Sequence, residues 1–119
     1  MELVNSLHRF VGESLITIAV VCAVAAALTS GGGTLYRAAQ ILGRVLVALL
    51  DLQWLLGVIN YFGLPAGARP SLAHPVVMTV AVVVAHVLLK RAQQGSGRWG
   101  LAGVHAVTAV LLIVGYQLV

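Results

Sequence analysis

Charge is what this chain has least of. Seven Lys or Arg and three Asp or Glu make up 8% of the 119 residues, whereas 61% are hydrophobic; a soluble domain carries about 25% charged residues. That scarcity excludes a soluble globular domain and points to a membrane protein. Cysteine is nearly absent as well. Cys22 alone cannot close an internal disulfide, so it says nothing about redox compartment and reads as a small buried hydrophobe. Acidic residues are outnumbered, which gives a net charge of +4. The basic residues sit beside the apolar runs, where they act as topology signals, so nucleic-acid binding is not expected. A secretory leader would hold one short apolar core and then turn polar, whereas here apolar character returns three more times.

What is present is a set of four long apolar runs, at about residues 4–28, 41–62, 72–89 and 99–119. Crossing a hydrocarbon core of about 30 Å takes roughly 20 helical residues, so each run is read as one transmembrane helix and residues 1–119 as a single all-α transmembrane domain. The links "TSGGGT", "GLPAGARPS" and "RAQQGSGR" are short and carry turn chemistry, which predicts an up-down-up-down bundle. Arg37, Arg44, Lys90, Arg91 and Arg98 lie near the first and third links, with only Arg9 and Arg69 on the other side. The positive-inside rule makes those two links cytoplasmic and puts both termini on the outer side. The expected location is the plasma membrane of a bacterium.

Within these helices the histidines stand out. His8 and His74 fall near the outer ends of the first and third helices, and His86 and His105 share a deeper level toward the cytoplasmic side. The twelve residues from His74 to His86 separate the two levels by roughly 18 Å. An intramembrane histidine is a functional hypothesis by default, and facing imidazoles inside a helical bundle suit axial ligation of a haem iron. The depths therefore suggest one or two b-type haems, held by His8 with His74 and by His86 with His105. The same twelve residues turn His86 about 120° around the helix from His74, so the third helix would have to offer its two ligands in different directions. A porphyrin also needs small neighbours. The second helix has no histidine but has Gly43 and Gly57, fourteen apart and nearly on one face, and Gly12 lies one turn after His8.

The segments "LHRFVGESL", "LLDLQWLLGVINYFGLP" and "LAHPVVMTVA" resemble a half-bundle of haem A synthase. The likeness covers residues 8 to about 90 and implies that His8 and His74 are the ligands of a b-type haem. Asn5 stands where that family carries a glutamate, and only one half of the duplicated family architecture is represented. The likeness therefore implies a haem rather than the synthase reaction. Arg9 and Arg69 are candidates to hold haem propionates, since guanidinium matches carboxylate in a fork.

Asp51 falls near mid-membrane in "ALLDLQWLL", where a bare carboxylate costs at least about 2.5 kcal/mol. Its candidate roles are proton carrier, acceptor for a haem-ligand imidazole, or neutral hydrogen-bond partner, with Gln53 nearby; Arg44 could reach it only through water or a third group. Glu13 could pair with Arg9 one turn earlier. It also raises a different class, a small multidrug-resistance-like transporter built around one early glutamate, although the aromatic residues before it and the lysine after it are missing. Trp54, Asn60, Tyr61 and Trp99 read as interfacial or packing residues. The resulting expectation is a membrane cytochrome of b type, an electron carrier or subunit more than a stand-alone enzyme. Its partners would be lipid, a quinone, and a larger respiratory or photosynthetic complex or further copies of itself. A haem-free accessory subunit is the remaining alternative.

Overall fold

The computed structural model describes residues 1–29, 33–94 and 97–119, the last stretch without the side chains of residues 97–99. The middles of the links "TSGGGT" and "RAQQGSGR", and the side chains of Arg98 and Trp99, lie outside the described residues. Four helices account for nearly all the rest: α1 (Glu2–Leu28), α2 (Gly33–Gly63), α3 (Ala73–Gln93) and α4 (Gly97–Gln117), with a 3-10 turn at Ala66–Ala68 between α2 and α3. Each is long and apolar enough to cross a membrane, and no strand occurs among the described residues. A membrane-spanning segment must satisfy its own backbone polar groups, and the helix does so locally.

Helix ends depart from the apolar runs where the chain keeps its helical preference after turning polar. α2 starts at Gly33 rather than near residue 41, because "TLYRAAQ" is mostly residues that favour or tolerate a helix. α3 continues past Leu89 to Gln93, with Lys90 and Arg91 in its last turn, where cations favour the negative end of the helix dipole. α2 stops at Gly63: the Leu64 N–H still donates to Asn60 O, but Pro65 has no N–H to follow. Pro75 sits in the first turn of α3, where backbone N–H groups have no intrahelical partner to lose.

A stripe of small or apolar residues at alternating spacings of three and four faces inward on each helix. On α1 it is Leu15, Ala19, Cys22 and Ala26, and on α3 it is Met78, Ala81, Ala85, Leu89 and Ala92. α2 contributes Ala39, Gly43, Leu46, Leu50, Gln53 and Asn60, and α4 contributes Leu101, His105, Thr108 and Leu112. Small side chains let helix backbones approach closely where lipid provides no hydrophobic drive. Cys22 is 2% exposed and unpaired, the small buried hydrophobe its position suggested. Outside the stripes, Val21, Val24, Leu52, Ile59, Val83 and Val110 are exposed, as suits a surface facing lipid.

The helices form a ring in chain order. α1 packs on α2 and α4, and α3 packs on the same two; α2 and α4 also touch across one diagonal. Across the other diagonal, among the described residues, no Cα of α1 comes within 8 Å of α3. The bundle measures 50 × 22 × 19 Å, longer than the hydrocarbon core of about 30 Å.

Candidate functional site

His8 and His74 bridge the open diagonal. His8 continues the inward stripe of α1 one heptad before Leu15, and His74 lies one turn before Met78 on α3, so the same periodicity that builds the core points both rings inward. Their ring centres are 6.2 Å apart, with the ring planes at 88°. Two imidazoles bound to one metal ion from opposite sides, with metal–nitrogen bonds of about 2.0 Å, would hold their ring centres roughly 6.3 Å apart.

The tautomer of His74 is fixed by its surroundings. Its Nδ1 lies 2.8 Å from the carbonyl oxygen of Gly115. A carbonyl only accepts, so Nδ1 carries the proton and donates it, and Nε2 of the neutral ring keeps a free lone pair. Two features of α4 allow this. Gly115 lies in the last turn, where a carbonyl is not committed to a full helical partner and takes only a 3.2 Å bond from the Leu118 N–H. It also has no side chain, and a methyl group there would meet Met78 Sδ at 2.5 Å. Glycine lets α3 come close enough for the imidazole to reach the backbone.

His8 is seated by α2. A methyl group at Gly57 would come within 2.9 Å of His8 Cε1, so the ring occupies the space that glycine leaves. Gln53 Nε2 donates to the backbone oxygen of His8 at 2.8 Å. Gly12 makes room for that amide: a methyl group there would come within 2.8 Å of Gln53 Nε2. Asn60 Nδ2 donates to Asn5 Oδ1 at 3.2 Å. Three buried polar atoms in this region have no partner: His8 Nδ1, Gln53 Oε1 and Asn60 Oδ1. Buried polar atoms are ordinarily satisfied, so this end of the bundle departs from an ordinary packed core.

A cavity of about 800 Å³ runs along this end of the bundle, lined by His8, Arg9, Gly12, Arg69, His74 and Tyr116 among others. Ligand cavities span about 300–1,000 Å³. Arg9 and Arg69, both exposed, border it. Arg69 Nε donates to Leu64 O at 3.0 Å and its guanidinium lies 5.5 Å from the centre of the Tyr61 ring, which leaves its terminal N–H groups for a further acceptor.

The deeper histidines are arranged differently. His86 and His105 are not brought together as His8 and His74 are. His86 lies off the inward stripe of α3, as its 120° rotation implied, and its Nε2 donates to Asp51 of α2 at 2.8 and 3.0 Å. The two side chains are 51% and 48% exposed. Asp51 thus accepts from His86, while Gln53 is turned to His8 and Arg44 makes no ion pair among the described residues. His105 is 1% exposed, with its Nε2 unpartnered. It packs across the short diagonal against Gly43, where a methyl group would come within 3.1 Å of the ring. Gly43 and Gly57 of α2 therefore each receive one histidine ring, but Gly43 borders a packed contact rather than a cavity.

Glu13 is not paired with Arg9. The one ion pair among the described residues is His86–Asp51, and Glu13 accepts a long hydrogen bond of 3.4 Å from the Tyr116 hydroxyl. Trp54 is more than a packing residue: its indole N–H donates to Thr79 Oγ1 at 2.9 Å and ties α2 to α3. Sequence reasoning missed Gln53, Gly115 and Thr79 as supports of the site, since a lone amide, glycine or hydroxyl in an apolar run carries no distinguishing signal. No protein-family model, no curated protein and no solved structure matches this chain.

Proposed function

We propose that this chain is a b-type haem-binding electron-transfer protein of the membrane, with one haem held between His8 and His74. The observation that carries the reading is the pair of imidazoles across the open diagonal, at a spacing suited to one metal ion and with His74 locked in the tautomer that presents Nε2. The Gly115 carbonyl orients the His74 ring and makes its free nitrogen a better donor. Gly57 and Gln53 seat His8, and Arg9 and Arg69 border the cavity where carboxylates of a porphyrin would be received. Bound there, a haem would supply one-electron oxidation and reduction. The chain's own part is to fix the ligands, exclude water with the apolar helix faces, and set the charge around the site.

The contacts also support an up-down-up-down bundle, and the asymmetry of basic residues supports placing both termini outward. Asn5 at the start of α1 meets Asn60 at the end of α2, and His74 at the start of α3 meets Gly115 at the end of α4. In this reading His86 and His105 are not haem ligands. The test is the reduced absorption spectrum and haem-to-chain ratio of protein purified from haem-replete cells. The expected result is about one haem per chain, lost in His8→Ala and in His74→Ala and retained in His86→Ala. A colourless wild-type protein, or undiminished haem in His74→Ala, would overturn the proposal.

A further inference from the structure

The seam between α2 and α3 is the slackest of the four between neighbouring helices, and it opens toward lipid in two places. One opening, of about 450 Å³, reaches His8 and His74 and belongs to the site already described. The other, of about 480 Å³, lies toward the start of α2 and the end of α3, with Arg44, Ala48, Asp51, His86, Val87 and Gln93 on its walls. The Trp54–Thr79 hydrogen bond crosses the seam between the two.

This second cleft exposes an anomaly. Asp51 and His86 stand on helices sized to cross a membrane, yet about half of each side chain faces outward. Hydrocarbon offers such groups no hydrogen bond. A carboxylate only accepts, so the bond to Asp51 places the proton on His86 Nε2. Nδ1, which has no partner among the described residues, is then left to accept from a donor arriving through the cleft. The surface of the cleft is otherwise mainly apolar, with Arg44, Lys90 and Gln93 also on its walls. Mostly apolar walls, a few convergent polar atoms and a volume within the ligand range of about 300–1,000 Å³ describe a small-molecule site.

We infer that this cleft binds the head group of a lipid-soluble hydroquinone, with a ring hydroxyl donating to His86 Nδ1 and the tail leaving along the lipid-facing valines. The site is reached sideways from the bilayer, so its ligand must be lipid-soluble. A phospholipid phosphate would stay at the level of Arg44 and Lys90 and leave the Asp51–His86 pair, one to two turns deeper, uncovered. A helix of a second copy would meet a cleft rather than the flat, ridged surface that helices pack against. The inference does not rest on the haem reading.

The test is a titration of the full chain, in nanodiscs of zwitterionic lipid, with a decyl-tailed benzoquinone and its chemically reduced hydroquinone, followed by quenching of tryptophan emission. The hydroquinone should quench saturably and bind more tightly than the quinone, whose ring oxygens only accept. Asp51→Asn and His86→Gln should each raise the half-saturation point about tenfold, the scale of one lost hydrogen bond to a charged or charge-linked group. Ala48→Phe fills the cleft from an exposed position that the fold does not need, and it should abolish the saturable part. The same titration on Gly103→Ala, where a methyl group meets nothing within 4 Å, should match wild type. Wild-type half-saturation in both Ala48→Phe and Asp51→Asn would overturn the inference. Displacement of the probe by added phosphatidylglycerol would also overturn it, as would quantitative disulfide cross-linking of Ala48→Cys between two copies in native membranes.

Discussion

A methyl group at Gly57 would press on His8 Cε1 at 2.9 Å, while the same change at Gly103 would meet nothing within 4 Å. The pair makes a controlled experiment. Replacing a mid-helix glycine by alanine gains about 1 kcal/mol of helix propensity, and crowding a packed contact costs about 1–3 kcal/mol, so neither change should unfold the bundle. Gly57→Ala is expected to turn the His8 ring and lower haem content several-fold with helical circular dichroism unchanged, and Gly103→Ala should leave both as they are. Haem content equal in the two variants would show that Gly57 does not shape the site. The sequence could not rank these glycines. Gly57 and Gly43 are equivalent by spacing, and only the rings that reach them, His8 at one and His105 at the other, separate a cavity wall from a packed crossing.

Along the helices, what repeats was legible and what depends on rotation between neighbours was not. The alternation of three and four that carries Leu15, Ala19, Cys22 and Ala26 inward also carries His8, and on α3 it carries His74 with Met78 and Ala81. The meeting of those two histidines was therefore readable from depth and face. His86 shares its depth with His105 but not its face, and depth alone cannot choose between α2 and α4 as its neighbour; the bond to Asp51 settles it. Helix length was misread where amphipathic residues such as Tyr36 and Arg37 prolong α2 beyond its apolar run. The Trp54–Thr79 bond is a direct polar tie between α2 and α3 along that slack seam, beside the one from His86 to Asp51. Interhelical hydrogen bonds in membranes average about 0.6 kcal/mol, so Thr79→Val should lower the thermal midpoint only slightly while visibly shifting tryptophan emission. A large loss of stability would mean that the seam depends on this bond far more than its chemistry allows.

For the whole molecule, the asymmetry of basic residues predicts the side on which each link lies. A cysteine introduced at Gly67, beyond α2, should react with an impermeant reagent in intact cells, and one introduced at Gln94, after α3, should react only once the membrane is opened. The reverse pattern would exchange the two leaflets without altering any contact described above. The bundle itself is fastened unevenly. Gly43 and His105 pin α2 to α4, and about 21 Å further along α2 Gly57 looks onto a diagonal that the rings of His8 and His74 span. In mechanical terms this is a pair of tongs. The alanine-rich, bolted end is the pivot and the histidine-bearing ends are the jaws.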